Sequence, residues 1–465
     1  MEKGASQKAE QPSQKQQQQQ KQQQEGRTSS PVQARTPTTT PMSPAQPSGE
    51  HERRDPTAPM TPEEVAASAP TMTSALLAFT IELHQKLREV GGSRNVLFSP
   101  FLAAGALIAL FHGARGRAAR HLARLLHLDE SDAPRAVAYF ARCHDQLFAS
   151  WPNHHRQGFN ATHDLALIRD RNLNMLAAYI ASLSPWCRTE PDFFESDMGS
   201  AVIRMDLWIR ALTAFAFREY TVFEFPPTMG REPVLLVSIA VLFVKGRWRH
   251  RFEPGTGDFH ETPTRMRSVR VMRRRGKFRI GDCGDLDAMV LEIPYQDPSK
   301  TMVVFLPSME RLATFEHSLT PAKLLRCLAN LQEREVEVTM PVLRLKRHTE
   351  MARIVSMLSA PEVFKSRGQL GGMSDDKSLF VSTLTHVTVF HANTRGGKPQ
   401  VPLTSEPPST TRPTPATTRA TPEPVRFTVD RPFMFLVMNK DPDAVLVLGS
   451  VKRVSSRKTK VPPIN

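Results

Sequence analysis

Asn95-Val-Leu-Phe-Ser-Pro100 runs directly into Phe101-Leu-Ala-Ala-Gly-Ala-Leu-Ile-Ala-Leu-Phe111. Ser99 carries the side-chain oxygen of an N-cap, and Pro100 brings a backbone angle already set for a first helical turn. No charge occurs from Asn95 to Phe111, so the helix is expected inside a core rather than on a surface. Gly113 is placed to end it in the left-handed conformation. Such a helix needs a large structure around it, and 465 residues with 40% hydrophobic content supply one.

Toward the N-terminus, Leu76, Phe79, Leu83 and Leu87 recur at helical spacing, so folded chain is expected from about Thr71. Residues 1–24 hold eleven glutamines, and Pro, Thr and Ser dominate from there to about residue 70. Such a segment buries too little apolar area to offset its chain entropy, so 1–70 reads as a disordered tail. Toward the C-terminus, Ala118, Leu122, Leu125 and Leu126 mark another helix. Residues 235–244 are apolar apart from Ser238 and are expected as a strand buried on both faces. Shorter strands are expected at 288–293, 302–306, 336–340, 433–437 and 445–448, the last two as an antiparallel hairpin. Early helices and many later strands give an α+β domain from about 71 to 455, with a basic tail at 456–465.

The exclusions are as informative. The longest apolar runs, 98–111 and 234–244, fall short of the ~18–20 residues that cross a membrane. No apolar segment lies near Met1, so the sequence alone predicts a cytoplasmic chain. Four cysteines without C-x-x-C spacing exclude a disulfide-built scaffold and a zinc ribbon. No G-x-S-x-G, H-E-x-x-H, Walker or dinucleotide motif is present, so neither an enzyme nor a cofactor or metal site is expected. His154 and His155 sit in a polar stretch and read as exposed. Asn160-Ala-Thr162 is the one glycosylation sequon, which matters only on the secretory route.

Several separate stretches, in order, resemble one family, the serpins. Asn95–Pro100 with Gly113-Ala-Arg-Gly116 resembles its opening signature. Phe243-Val-Lys-Gly-Arg-Trp248, Phe252-Glu-Pro254 and Asp258-Phe-His260 resemble its central strand and the segment after it. Leu291-Glu-Ile-Pro-Tyr295, Val303-Val-Phe-Leu-Pro307, Gly372-Met-Ser-Asp375, Leu379-Phe-Val-Ser382 with His386, Asp430-Arg-Pro-Phe433 and Leu448-Gly449 continue the series. The resemblance implies three β-sheets, eight or nine helices, a monomer in the extracellular space, and an exposed reactive-centre loop at 394–426. It implies a mechanism too: a protease acylates at the loop, the cut loop inserts into the large sheet, and the protease is dragged across and distorted. By resemblance Ser99 and His386 belong to a polar cluster beneath that sheet, and Trp248 to the point where the loop leaves it. Leu102 and Ala240 stand where the family has Ser and Asn.

The loop departs from the pattern. Gly396 matches the hinge glycine, but Gly397, Lys398, Pro399 and Pro402 fall where small alanine-like residues belong. A proline inside a central strand costs about 3 kcal/mol. The expectation is therefore a non-inhibitory serpin that acts by binding. The alternative is a suicide inhibitor of a trypsin-like serine protease, with Arg419-Ala420 as the bait bond. A third reading rests on the formal charge of +15. Arg265, Arg267, Arg270, Arg273, Arg274, Arg275, Lys277 and Arg279 form one basic cluster, and Arg247, Arg249, His250 and Arg251 another. Such fields attract polyanions, and heparin-like glycosaminoglycans are what the resemblance suggests.

Overall fold

The computed structural model describes residues 61–148, 158–190, 198–213, 236–365, 367–394 and 423–454. Helix α1 spans Pro62–Gly91 and so begins ahead of the expected start at Thr71. The cause is local. Thr61 Oγ1 accepts from the Glu64 amide at 3.3 Å while Glu64 Oε2 accepts from the Thr61 amide at 2.7 Å, a reciprocal capping box. Val65 and Met72 are buried, so this first part of the helix packs on the body. The capping pattern Thr-Pro-Glu-Glu was legible in the sequence but hidden by its Pro-rich surroundings. Removing residues 1–60 should leave the thermal unfolding midpoint unchanged. Removing 1–70 should lower it by a few degrees, because a lost cap and an unburied valine together cost about 2 kcal/mol. Equal midpoints for the two truncations would refute this.

Strand β1 (Val96–Phe98) leads through Ser99 into helix α2 (Pro100–Gly113). Ser99 Oγ accepts from the Leu102 amide at 3.2 Å, and every residue of α2 except His112 is buried, as the uncharged run required. Gly113 does not take the left-handed conformation expected of it. It is needed for close approach instead, since a Cβ there would overlap the Met373 side chain. Then come α3 (Gly116–Leu125), α4 (Ala133–Phe148), β2 (Phe159–Arg169), α5 (Ala177–Leu183), β3 (Arg188–Glu190) and α6 (Met198–Leu212). After them lie β4 (Leu236–Gly246), β5 (Glu253–Thr262), β6 (Arg265–Cys283), β7 (Ala288–Pro294) and β8 (Lys300–Pro307). The chain continues with α7 (Leu312–Ser318), α8 (Pro321–Ala329), β9 (Gln332–Pro341), β10 (Leu343–Glu350) and α9 (Met351–Leu358). It closes with β11 (Thr383–Ala392), β12 (Val425–Thr428), β13 (Phe433–Lys440) and β14 (Asp443–Val451).

The strands make an α+β fold in two hydrogen-bonded assemblies among the described residues. One is a five-stranded sheet in the order β10-β11-β4-β2-β3. The other runs β1-β14-β13-β8-β7-β6-β9-β12, with β5 on β6. The long strand β6 joins its two halves, pairing with β5 and β9 over much of its length and with β7 near its end. The third sheet implied by the resemblance is thus continuous with the second. Strand β4 is buried on both faces, as its apolar run demanded. Leu236, Ala240, Leu242 and Val244 join the main core, while Val237, Ile239, Val241 and Phe243 pack with Met205 and Ile209 of α6.

Two long-range ties hold the helices to this frame. His84 and Arg88 of α1 approach the buried Glu316 of α7 at 3.3 and 3.6 Å, and Arg88 also donates to Ser450 Oγ of β14 at 3.3 Å. Gln85 adds hydrogen bonds to the carbonyls of Glu316, His317 and Leu319. The second tie is a disulfide from Cys283, at the end of β6, to Cys327 of α8, with their Cα atoms 5.2 Å apart. Four cysteines without close spacing had signalled no disulfide scaffold, and a single bridge between distant residues leaves no such signal.

Candidate functional site

The seam between β11 and β4 is the centre of the site. These strands run parallel, and nine residue pairs, from Thr383↔Val237 to His391↔Lys245, keep the seam closed. His386 lies on this seam opposite Ala240. Its Nε2 accepts from the Ser99 amide at 2.9 Å and lies 3.1 Å from Thr388 Oγ1. Burial, helped by the neighbouring His348, pushes the His386 imidazole down to about 3, so it is neutral and its remaining proton is on Nδ1. The structure therefore brings Ser99 and His386 together. Leu102 and Ala240 are buried where polar partners were expected. A cavity of about 10 Å³ beside Ala240 and His386 marks the shorter side chain. The Ser238 and Thr385 hydroxyls on the same two strands have no hydrogen-bond partner among the described residues, which the sequence did not foretell.

Above the seam, the chain leaving β11 is pinned twice. Trp248 Nε1 donates to the Asn393 carbonyl at 2.7 Å, and the Phe252 amide donates to the Thr394 carbonyl at 2.9 Å. The Trp248 ring stacks on Tyr295 at 4.6 Å, and Gly246 leaves room beneath Tyr295. Trp248 thus stands beside the last described residues before 395. The far end of the loop is fixed by β12, which runs parallel to β9 from Val425↔Val336 and buries Phe427. Gly396, Gly397, Lys398, Pro399, Pro402, Arg419 and Ala420 all lie outside the described residues. Asn160 is described as a β2 residue opposite Lys245.

The basic cluster is a strand, β6, which no sequence signal had assigned. Five of its eight cations have carboxylate partners. Arg265 and Arg267 share the buried Glu261 at 3.0 and 2.9 Å. Arg275, Lys277 and Arg279 reach Glu335, Glu333 and Glu292 at 3.4, 3.6 and 2.6 Å. Glu333 and Glu335 come from β9, which the register lays beside β6. Arg270, Arg273 and Arg274 have no carboxylate partner among the described residues. Arg274 Nη1 donates to the Arg251 carbonyl at 3.4 Å, which links this group to the exposed Arg247, Arg249, His250 and Arg251.

A second cavity, about 170 Å³, lies among α1, α2, α4, α8 and the β13–β14 hairpin. Its wall is mainly apolar, and Tyr139 and Thr73 meet there at 2.9 Å.

The comparisons agree with this layout. The family model described as Serpin (serine protease inhibitor) matches residues 74–454. The chain is 27% identical to Iris of Ixodes ricinus over 406 residues, covering 83% of this chain and 99% of that protein. It is 27% identical to leukocyte elastase inhibitor A of Mus musculus over 397 residues, covering 82% and 98%. Among solved structures, uncleaved ovalbumin aligns with a TM-score of 0.70 at 19% identity, over 82% of this chain and 99% of that one. Human thyroxine-binding globulin aligns with a TM-score of 0.70 at 17% identity, over 83% and 99%. A closed five-stranded sheet, a His386–Ser99 contact beneath its seam, a loop pinned at Trp248 and a family match across 74–454 have one common explanation: the chain belongs to the serpin family and is not an enzyme.

Proposed function

We propose that this serpin inhibits a trypsin-like serine endopeptidase, offering Arg419-Ala420 as the bait bond, and that its hinge prolines keep the trapped fraction low. The observation that carries the reading is the β11–β4 seam. If the two parallel strands part, a slot opens between them in which a strand folding back from β11 would run antiparallel to both. The loop's first residues are held at the top of that slot by Trp248 and Phe252. Relatives named as elastase and coagulation inhibitors support the inhibitory part of this reading. Arg412 is a poorer bait than Arg419 because Pro413 comes directly after it. A denaturing gel after incubation with trypsin tests this. A band at the summed mass supports inhibition, and its absence both here and in a proline-free loop leaves the non-inhibitory reading.

A second reading, polyanion binding, is favoured by the three arginines of β6 without carboxylate partners among the described residues, beside Arg247, Arg249 and Arg251. Arg273→Ala/Arg274→Ala should lower the salt at which the chain leaves a heparin column, because fewer counterions are released. Arg275→Ala/Lys277→Ala should shift it less, since each of those cations already has a glutamate. Equal shifts for the two pairs would sink this placement.

A further inference from the structure

His144 of α4 and His163 of β2 turn their Nε2 atoms toward each other at 2.8 Å. Both rings are partly exposed. Phe148 stacks on His163 with ring centroids 3.7 Å apart and lies 5.2 Å from His144, so the two imidazoles are held against an apolar wall. At this distance one Nε2 must carry a hydrogen and the other a lone pair. The remaining charges nearby are Asp145, next to His144 on α4, and Asp164, which comes after His163 on β2 and is paired with Arg188 at 2.6 Å. Neither ring is used by the seam or by the loop pins.

We propose that His144 and His163 form a two-imidazole binding site for a divalent transition-metal ion of the Zn2+ type, joining α4 to β2. Imidazole nitrogen is the donor that Zn2+, Ni2+ and Cu2+ favour, whereas Mg2+ and Ca2+ prefer oxygen. Two nitrogens bound to one tetrahedral zinc at about 2.0–2.1 Å stand roughly 3.3 Å apart. The pair needs to open by only about half an ångström from its present contact to admit the ion. The ring that now donates through Nε2 moves that hydrogen to its Nδ1, so both Nε2 lone pairs face the metal and no proton is lost overall. Among the described residues the site has these two protein ligands and no third of the His, Cys, Asp or Glu kind. The site is therefore expected to be open and weaker than a four-ligand structural centre.

The test uses the full untagged chain. Calorimetric titration with Zn2+ should show one saturable site, Ni2+ should compete, and Mg2+ should give no heat. His144→Ala and His163→Ala should each weaken binding by about tenfold or more. Zn2+ should raise the unfolding midpoint of the native chain and of neither variant. Because a variant could misfold, the native chain is also treated with diethyl pyrocarbonate and mapped by mass spectrometry. Zn2+ should then protect His144 and His163. Protection at other histidines instead, unchanged affinity in both variants, or no saturable binding would each overturn the site.

Discussion

Trypsin is expected to open this chain after Arg419 and to leave mostly nicked protein, with a minor covalent complex. The reason lies in a race between insertion of the cut loop and hydrolysis of the acyl-enzyme. Insertion would place the loop between β11 and β4, where neighbours on both sides want N–H donors. In an antiparallel ladder, successive residues aim their amides at opposite neighbours. Pro399 and Pro402 are three positions apart, so one removes a donor toward β11 and the other a donor toward β4. Each costs about 3 kcal/mol, and 3 kcal/mol on the insertion barrier slows it by roughly two powers of ten. Length adds to this. From Gly396 to Arg419 the contour reaches roughly 80 Å, while the seam of nine pairs is about 30 Å long. A tether with that much slack pulls weakly. Pro399→Ala/Pro402→Ala should raise the covalent fraction about tenfold or more. Equal fractions would show that the prolines do not govern the race. No complex from either chain would leave a non-inhibitory serpin, the reading the hinge residues favour by themselves.

Glu316→Ala should destabilise the fold by about 3 kcal/mol, read from urea or thermal unfolding. The carboxylate is almost completely buried, and the change strands Arg88, itself mostly buried, with only carbonyl and hydroxyl partners. Glu316→Gln should cost less, since shape and hydrogen-bonding capacity remain. Burial alone would raise the Glu316 carboxyl. His84, the Ser450 hydroxyl and the Arg88 guanidinium outweigh that and hold it below the usual carboxylate range. A carboxyl depressed in the folded state stabilises above its unfolded value, and that contribution is lost as pH falls through the folded one. The gap between native chain and Glu316→Ala should therefore narrow in acid. A gap unchanged down to strongly acidic pH would contradict the assignment.

Much of the frame was legible because burial writes itself into composition. The uncharged run through α2 and the two-faced strand β4 had to be inside. The β13–β14 hairpin was announced by two apolar stretches around a turn. What the sequence hid was pairing. The arginines of 265–279 looked like an open cationic field, and only the register of β6 against β9 shows that Glu333 and Glu335 answer Lys277 and Arg275. The His144–His163 contact was hidden for the same reason, since nineteen residues separate partners brought together by a helix and a strand. Residues of the loop could be named from sequence, but their mutual geometry falls outside the described residues.

The bridge from Cys283 to Cys327 has a further consequence. It closes a loop spanning a sequence separation of 44 residues, and the chain-entropy relation puts the resulting restriction of the unfolded state at about 4 kcal/mol. That contribution exists only while the sulfurs stay oxidised. Glutathione-rich surroundings such as cytosol keep thiols reduced, whereas secreted proteins retain such bonds. The fold of this chain is accordingly more stable outside a reducing compartment than within one, and the junction of β6 with α8 makes its stability a function of the redox state around it.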